Sequence, residues 1–414
     1  MNASAISTAR RVPALDGLRA LAIIGVLFCH VNNKWDFPKE GAVSEPVSVL
    51  FGWGWVGVHL FFVLSGYLIT GILYSAKGEA DYFRNFYARR ALRIMPLYFG
   101  YLLFALCILP LVLTALPPRA AAFLETPQVT RGDVLSLLFY YANFQIAFTK
   151  HYLGIFHPFW SLAVEEHFYL LWPLAVWSLG RRNLMRLCVG GAVASICLRA
   201  AIIGVSGREE IARLITPGCL DGLLAGGWLA LARGDRFVWE KIRKWTLPLL
   251  FGSACFLLSL MLRQMRLIPL PDSQVNPESI YGGMLINTLG IAALAVFFGA
   301  LTALALNAAE ESRLRRVLEH PSLAAIGKYS YGIYVFHALI LLYIYRLTVV
   351  RFAPYVPVSL TKLIVAALLL AVSFGVAWLS YHCYEIHFLR LKRFFERRPQ
   401  PYSGILVAPQ GQEA

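Results

Sequence analysis

The chain has 414 residues, 58% of them hydrophobic and only 15% charged, with a mean hydropathy of +0.61. Ordinary globular domains carry about a quarter charged residues, so this composition excludes a water-soluble domain. The net charge of +15 has its simplest source in membrane topology and attraction to anionic lipid, and no nucleic-acid partner is read from it.

Apolar stretches long enough to span a bilayer, which takes roughly 20 residues, occupy 14–31, 51–74, 96–117, 157–180, 184–205, 216–232, 245–263, 282–306, 323–346 and 361–386. A shorter stretch, 134–148, holds Asn143 and Gln145 and is expected to be re-entrant or to lie at the outer surface. The expected fold is therefore all-α: a polytopic integral membrane protein of about ten transmembrane helices plus one short re-entrant or interfacial helix. Its parts are a cytoplasmic N-terminus (1–13), one membrane domain (14–386) and a basic then polar cytoplasmic tail (387–414), expected to be disordered. Arg10 and Arg11 precede an apolar run that Arg19 interrupts, and no small-x-small cleavage site follows. An uncleaved first span is expected.

On this map 23 of the 38 Lys and Arg fall on one side, 11 on the other and four within spans. The richer side is cytoplasmic by the positive-inside rule, which places both termini in the cytoplasm of the inner membrane. Counting 134–148 as a span would invert everything after it. The seven cysteines (29, 107, 188, 197, 219, 255 and 383) all fall within predicted spans. They have no metal-ligand spacing and no extracellular pair, and are expected to be small core residues. No metal is expected.

Ionisable residues inside a span cost a few kcal/mol each and usually mark a pathway or a site. The first span contains Asp16, Arg19 and His30. Arg19 and His30 share one helix face, roughly 16 Å apart along the axis, and Asp16 can pair with Arg19 at i−3. They form either an interfacial ion pair with a headgroup-zone histidine or the two ends of a site. After the second span, residues 82–96 place Arg89 and Arg90 one helical turn from Arg93, with aromatics at 82, 83, 86 and 87. This is either a basic interfacial helix or a phosphate clamp built from guanidinium forks. The fourth span carries Trp160, Ser161, Glu165, Glu166 and His167, with Glu165, Phe168, Tyr169 and Trp172 on one face. That face suits a sugar or a buried acid. The alternative is a carboxylate held by Tyr or Trp for structure alone. The glycines of Gly52-Trp53-Gly54-Trp55-Val56-Gly57 and of Ser65-Gly66-Tyr67 permit close helix packing.

Taken in order, these pieces resemble the membrane-bound acyltransferase-3 family of integral membrane O-acyltransferases, which modify surface glycans and some small molecules. The resemblance runs through most of the span region. Leu15-Asp16-Gly17-Leu18-Arg19 with His30 is similar to the family's Arg-x10-His first helix. Gly57 to Leu68, Arg90-x-x-Arg93 ending at Pro96, and Trp160-Ser161-Leu162-Ala163-Val164-Glu165 with Phe168-Tyr169 match further signatures. Ser330-Tyr331-Gly332-Ile333-Tyr334-Val335-Phe336-His337 matches a late one. There are departures. His59 stands where the family usually has an acid, so acid chemistry is not carried over to it. His167 replaces a common Gln, and Glu385 lacks the proline that often follows. The esterase-like domain fused to some members is not found here, so direct transfer or hand-over to a separate protein is expected.

The resemblance implies transfer of an acyl group, on family grounds acetyl, from acyl-CoA on the cytoplasmic side to a hydroxyl of an extracytoplasmic carbohydrate. Arg90, Arg93 and Arg19 would hold the coenzyme A phosphates, and the pantetheine arm would run outward to His30. His30 would be the general base, or else an acyl-carrying nucleophile, and Glu165 would orient it or stabilise its charged form. Asp16, Trp160, Ser161, Tyr169 and His337 would contact substrate. Acyl-CoA is a co-substrate, no tightly bound cofactor is expected, and the partners are a glycan acceptor and membrane lipid. The competing readings are a transporter of a glycan or lipid-linked sugar, for which no internal repeat is found, and a non-catalytic membrane subunit.

Overall fold

A computed structural model of the chain describes residues 12–33, 44–115, 129–264, 283–352 and 355–395, and the described residues form helices and no strand. Ten helices build the bundle: α1 (Pro13–Asn33), α2 (Val56–Ser75), α3 (Tyr82–Leu103), α4 (Phe159–Ser178), α5 (Arg181–Ser206), α6 (Leu220–Arg233), α7 (Arg236–Gln264), α8 (Ile291–Asn307), α9 (Pro321–Phe352) and α10 (Val358–Ser380). Eight helical segments among the described residues are long and apolar enough to cross a membrane, and α4 and α6 are not among them. The helix α4 interrupts its apolar run with Glu165, Glu166 and His167. With 14 residues, α6 is only about 21 Å long, and the tight turn Thr216–Cys219 precedes it.

Contacts fix the relative direction of the helices around the site. In α1 and α9, which run parallel, Gly327 lies against the Asp16 backbone and the His337 ring sits 4.8 Å from that of His30. In the opposite sense, α2 meets α1 where Gly57 faces Ala22. Beside α2 and along it runs α4, with Trp160 near Phe62 and Trp172 Nε1 donating to Thr70 Oγ1 at 2.8 Å. Against α4, α3 is antiparallel, since Tyr82 reaches Pro173 O and Tyr98 reaches Phe159. The first four helices thus alternate in direction, and α9 runs with α1. Close approach is achieved at glycines: a Cβ on Gly66 would collide with the Leu223 carbonyl of α6.

A fully buried cation fastens α5 to α6 and to the π-helical turn Ile286–Gly290 that leads into α8. Arg199 bonds Asp221 Oδ2 at 2.7 Å, Asn287 O at 2.8 Å and Ser195 Oγ at 3.2 Å, and also bonds the Gly218 carbonyl. Paired this fully, the buried charge serves as a clamp, and removing one partner would strand the other.

Two expectations about the chain's edges need correction. The arginine-bearing stretch and the third span are one helix, because α3 begins at Tyr82 and continues through a π-helical turn, Phe104–Ile108, to Thr114. The basic part of the tail is ordered: Ile386–Arg390 and Leu391–Phe395 are helical and pack on α3, with Arg84 5.8 Å over the Phe395 ring and Tyr384 OH donating to Pro96 O at 3.2 Å. Aromatic anchors, which a charge count overlooks, account for that docking. Residues 1–11 and 396–414 lie outside the described residues. Of the cysteines, Cys29, Cys188 and Cys219 are buried as expected, whereas Cys107, Cys197, Cys255 and Cys383 are on the outside of the bundle.

The stretch 134–148 forms a helical hairpin, Arg131–Leu138 and Ala142–Thr149, whose turn places Tyr140 in the left-handed region (φ 56°). Thr130 and Asp133 make a capping box at its start. Burial acts to raise the Asp133 pKa, but bonds from the Thr130 N–H and hydroxyl, Gln145 and His151 outweigh it and hold the carboxyl below its ordinary value. The hairpin packs by the start of α6 and the end of α5, through Asn143 to Leu214 O at 3.1 Å and Arg208 to Phe148 O at 3.0 Å. This is the end of the bundle toward which α1 and α9 point.

Candidate active site

A cavity of about 150 Å³ opens among α1, α2, α3, α4 and α9. Arg19, Arg90 and Arg93, singled out from two separate sequence stretches, all line it, together with Ser161, Glu165 and Tyr169 of α4. The fold brings them together because α3 and α4 are antiparallel neighbours and α1 crosses beside them.

The cavity is layered along the bundle axis. At one end Arg19 Nη1 donates to Asp16 Oδ1 at 3.0 Å, the i−3 pairing expected of them. Asp16 is buried and does not line the cavity. The Arg90 guanidinium lies 5.3 Å over the Tyr169 ring and 5.9 Å over that of Phe86, so aromatic faces hold it. Among the described residues neither Arg90 nor Arg93 makes an ion pair within 4 Å. In the middle layer the Tyr169 hydroxyl meets Ser65 Oγ at 2.5 Å. Glu165 has Ser65 and Tyr169 as hydrogen-bonding neighbours and Arg90 and Arg19 as its charged ones.

At the other end Tyr334 closes the cavity. Its hydroxyl meets Ser161 Oγ at 2.8 Å and also donates to the Pro158 carbonyl. One turn further along α9, His337 is buried and its Nδ1 donates to Tyr334 O at 2.6 Å. The His337 ring is tilted against that of His30 at 4.8 Å. His30 Nδ1 lies 2.8 Å from Val26 O. A carbonyl only accepts, so this nitrogen carries the proton and Nε2 is left as the basic atom. Trp160 is half-buried and lies outside the cavity wall, its ring edge-on to Phe62, which does line the cavity.

The expected side-by-side placement of Glu165 and His30 is replaced by two separate sets of contacts. Glu165 lies one turn beyond Ser161 toward the arginines, and His337 lies one turn beyond Tyr334 away from them. With Ser161 and Tyr334 level, the carboxylate and the imidazoles are on the order of 10 Å apart along the axis. Ser65 and Tyr169 hold the carboxylate on the side of the Arg90 and Arg19 charges, and His337 takes its place beside His30. Ser65, Tyr331 and Tyr334 belong to the cavity without having been assigned to it. They lie in two motifs of the sequence, Ser65-Gly66-Tyr67 and the stretch ending at His337, but hydroxyl side chains in apolar helices carry no charge to flag them.

Fold and site together define an integral membrane protein built around an internal, arginine-lined cavity. The chain belongs to the acyltransferase family, whose acyltransferase domain matches residues 12–382. It is similar to the peptidoglycan O-acetyltransferase of Listeria monocytogenes, 27% identical over 399 residues, which cover 90% of this chain and 55% of the relative. It is also similar to a Staphylococcus aureus protein provisionally named an O-acetyltransferase, 27% identical over 364 residues (81% of this chain, 52% of the relative). A Bacillus subtilis protein provisionally named a peptidoglycan O-acetyltransferase is 38% identical over 177 residues (40% of this chain, 24% of the relative). The chain therefore spans about half the length, or less, of the curated relatives it matches. No solved structure matches it.

Proposed function

We propose that this protein is an O-acyltransferase that moves an acetyl group from acetyl-CoA, bound from the cytoplasmic side of the inner membrane, to a hydroxyl of an extracytoplasmic glycan. Peptidoglycan is the acceptor that the relatives' names supply. The observation that carries the reading is a cavity that joins Arg19, Arg90 and Arg93 at one end to Tyr334 at the other, one helical turn from the His337–His30 pair. Arg90 and Arg93, which make no ion pair within 4 Å among the described residues, suit the donor's phosphates, and Arg19 with its Asp16 partner stands beside them. The roughly 16 Å between Arg19 and His30 along α1 suits its pantetheine arm.

In the reaction, His30 Nε2 takes the proton of the acceptor hydroxyl as the oxygen attacks the thioester carbonyl. The C–O bond forms, the C–S bond breaks, and the leaving thiolate takes the proton back from the imidazolium. His337 packs on His30 and fixes its ring. Glu165 is a positioning residue, setting Arg90 and Arg19 at the donor end, and Ser161 with Tyr334 lines the passage between the two ends. The Arg-rich end faces the cytoplasm, as do both termini.

The test is transfer from labelled acetyl-CoA to a glycan acceptor by the purified protein in lipid nanodiscs. We expect donor-dependent ester formation and a loss of about 10²–10⁴-fold in kcat for His30→Ala, with monodisperse protein at normal yield. Full activity of that variant removes His30 from the mechanism. Transport of the glycan without acylation would establish the transporter reading instead.

A further inference from the structure

The basic stretch after α10 does more than mark the cytoplasmic side. Leu391–Phe395 lies along α3 and is held there by the Arg84–Phe395 stack. This docking brings half-buried Lys392 to the arginines, with Arg93, Arg90 and Arg89 as its charged neighbours. Four cations converge, and among the described residues the carboxylates that face them are fewer: Glu385, beside Arg93, and Glu165 and Glu166, on the Arg90 side. Like Arg90 and Arg93, Lys392 makes no ion pair within 4 Å among the described residues. Convergent cations repel one another, and they are stable side by side when a polyanion sits between them.

The geometry points to Lys392 as a donor-binding residue: the docked C-terminal segment completes the mouth of the cavity and supplies the cation for a terminal phosphomonoester. This inference rests on the reading that the donor is acyl-CoA. Arg90 and Arg93 line the cavity itself, whereas Lys392 lies outside its wall, in a separate segment. Coenzyme A carries a diphosphate in mid-chain and a 3′-phosphomonoester at the end remote from the thioester. The inner arginines therefore match the diphosphate, and Lys392 at the rim matches the 3′-phosphate. An ammonium is a compact point charge that suits a monoester without needing the planar fork. An anionic lipid headgroup offers the same phosphate chemistry at this depth.

Coenzyme A and 3′-dephospho-coenzyme A are titrated calorimetrically onto the full chain in phosphatidylcholine nanodiscs and in nanodiscs with phosphatidylglycerol added. Lys392→Gln should weaken coenzyme A binding by about tenfold or more. It should shift 3′-dephospho-coenzyme A less than twofold, and Lys392→Arg should restore most of the affinity. The pattern should be the same in both lipids. An equal loss for both nucleotides, or no loss for either, overturns the assignment. A loss confined to phosphatidylglycerol discs assigns Lys392 to lipid and overturns it as well. If the wild-type protein binds neither nucleotide, the donor reading itself has failed, an outcome separate from either of these.

Discussion

Replacing Arg90 probes the arginine end of the cavity, where the donor is proposed to bind. The guanidinium lies over the Tyr169 and Phe86 rings and has no ion pair within 4 Å among the described residues, so its polar edge is available to a ligand. One charge-assisted hydrogen bond to phosphate contributes about 1.5–3 kcal/mol, which corresponds to a roughly ten- to 150-fold change in affinity. Arg90→Ala should raise the donor KM by that factor while the acceptor KM moves little. Arg90→Lys keeps the charge but loses the planar fork and about 0.5–1 kcal/mol of stacking on the aromatic faces, so it should fall between the two. The alanine variant also leaves Glu165 with Arg19 as its remaining cation, so Arg90→Ala with Glu165→Gln should cost less than the sum of the two single changes. Steady-state kinetics with the donor and the acceptor varied in turn, alongside calorimetric binding of coenzyme A, reads all of these. Unchanged donor affinity in Arg90→Ala would refute the phosphate role and return α3 to a plain interfacial basic helix.

The remaining predictions concern fold and topology. Gly66→Val should destabilise or prevent folding, because its side chain would meet the Leu223 carbonyl where α2 and α6 touch; overpacking of this kind costs about 1–3 kcal/mol or more, and thermal scanning in detergent will register it. The Asp133 carboxyl is held below its ordinary value, so its contribution to the helical hairpin is present above the unfolded pKa and lost as pH falls through the lower folded one. Hydrogen exchange in residues 130–151 should therefore rise in acid, and Asp133→Asn should remove that pH dependence; an unchanged pH profile in the variant would sink the assignment. Reporter fusions after Arg182 and Lys244 should report cytoplasm and one after Gly207 the outside, whereas an outside signal at Arg182 would invert the map beyond the hairpin.

Much of what was legible in the sequence came from the cost of charge in an apolar helix. That rule found Arg19 and Glu165, while Arg90 and Arg93 came from the convergence of guanidiniums at helical spacing outside the predicted spans; all four line one cavity. The same rule flags Arg199, yet that residue is saturated by Asp221 and by carbonyls, so it serves as a structural clamp. Residues of one helix could be set in register from the 1.5 Å rise alone, and the Asp16–Arg19 pair was anticipated on that basis. Register between α1 and α4 could not, since no sequence spacing fixes how far one helix slides along another. That is why Glu165 was expected beside His30 and His337 was found there. Tyr334, Ser65 and the docked Leu391–Phe395 segment rest on hydroxyl and aromatic contacts that charge and hydropathy do not register.

The central claim is that an acyl group passes from a donor bound at the arginine end to an acceptor at the histidine end. Side-resolved transfer measures it most directly. Purified protein is reconstituted in proteoliposomes, and the vesicles whose arginine end faces outward are selected by a tag on that side. Labelled acetyl-CoA is added outside and glycan acceptor is enclosed in the lumen. The account predicts labelled ester on the enclosed glycan, abolished by His30→Ala and slowed by Arg90→Ala at subsaturating donor. Label appearing only on acceptor added to the donor's own side, or ester forming equally well with His30 removed, would contradict it.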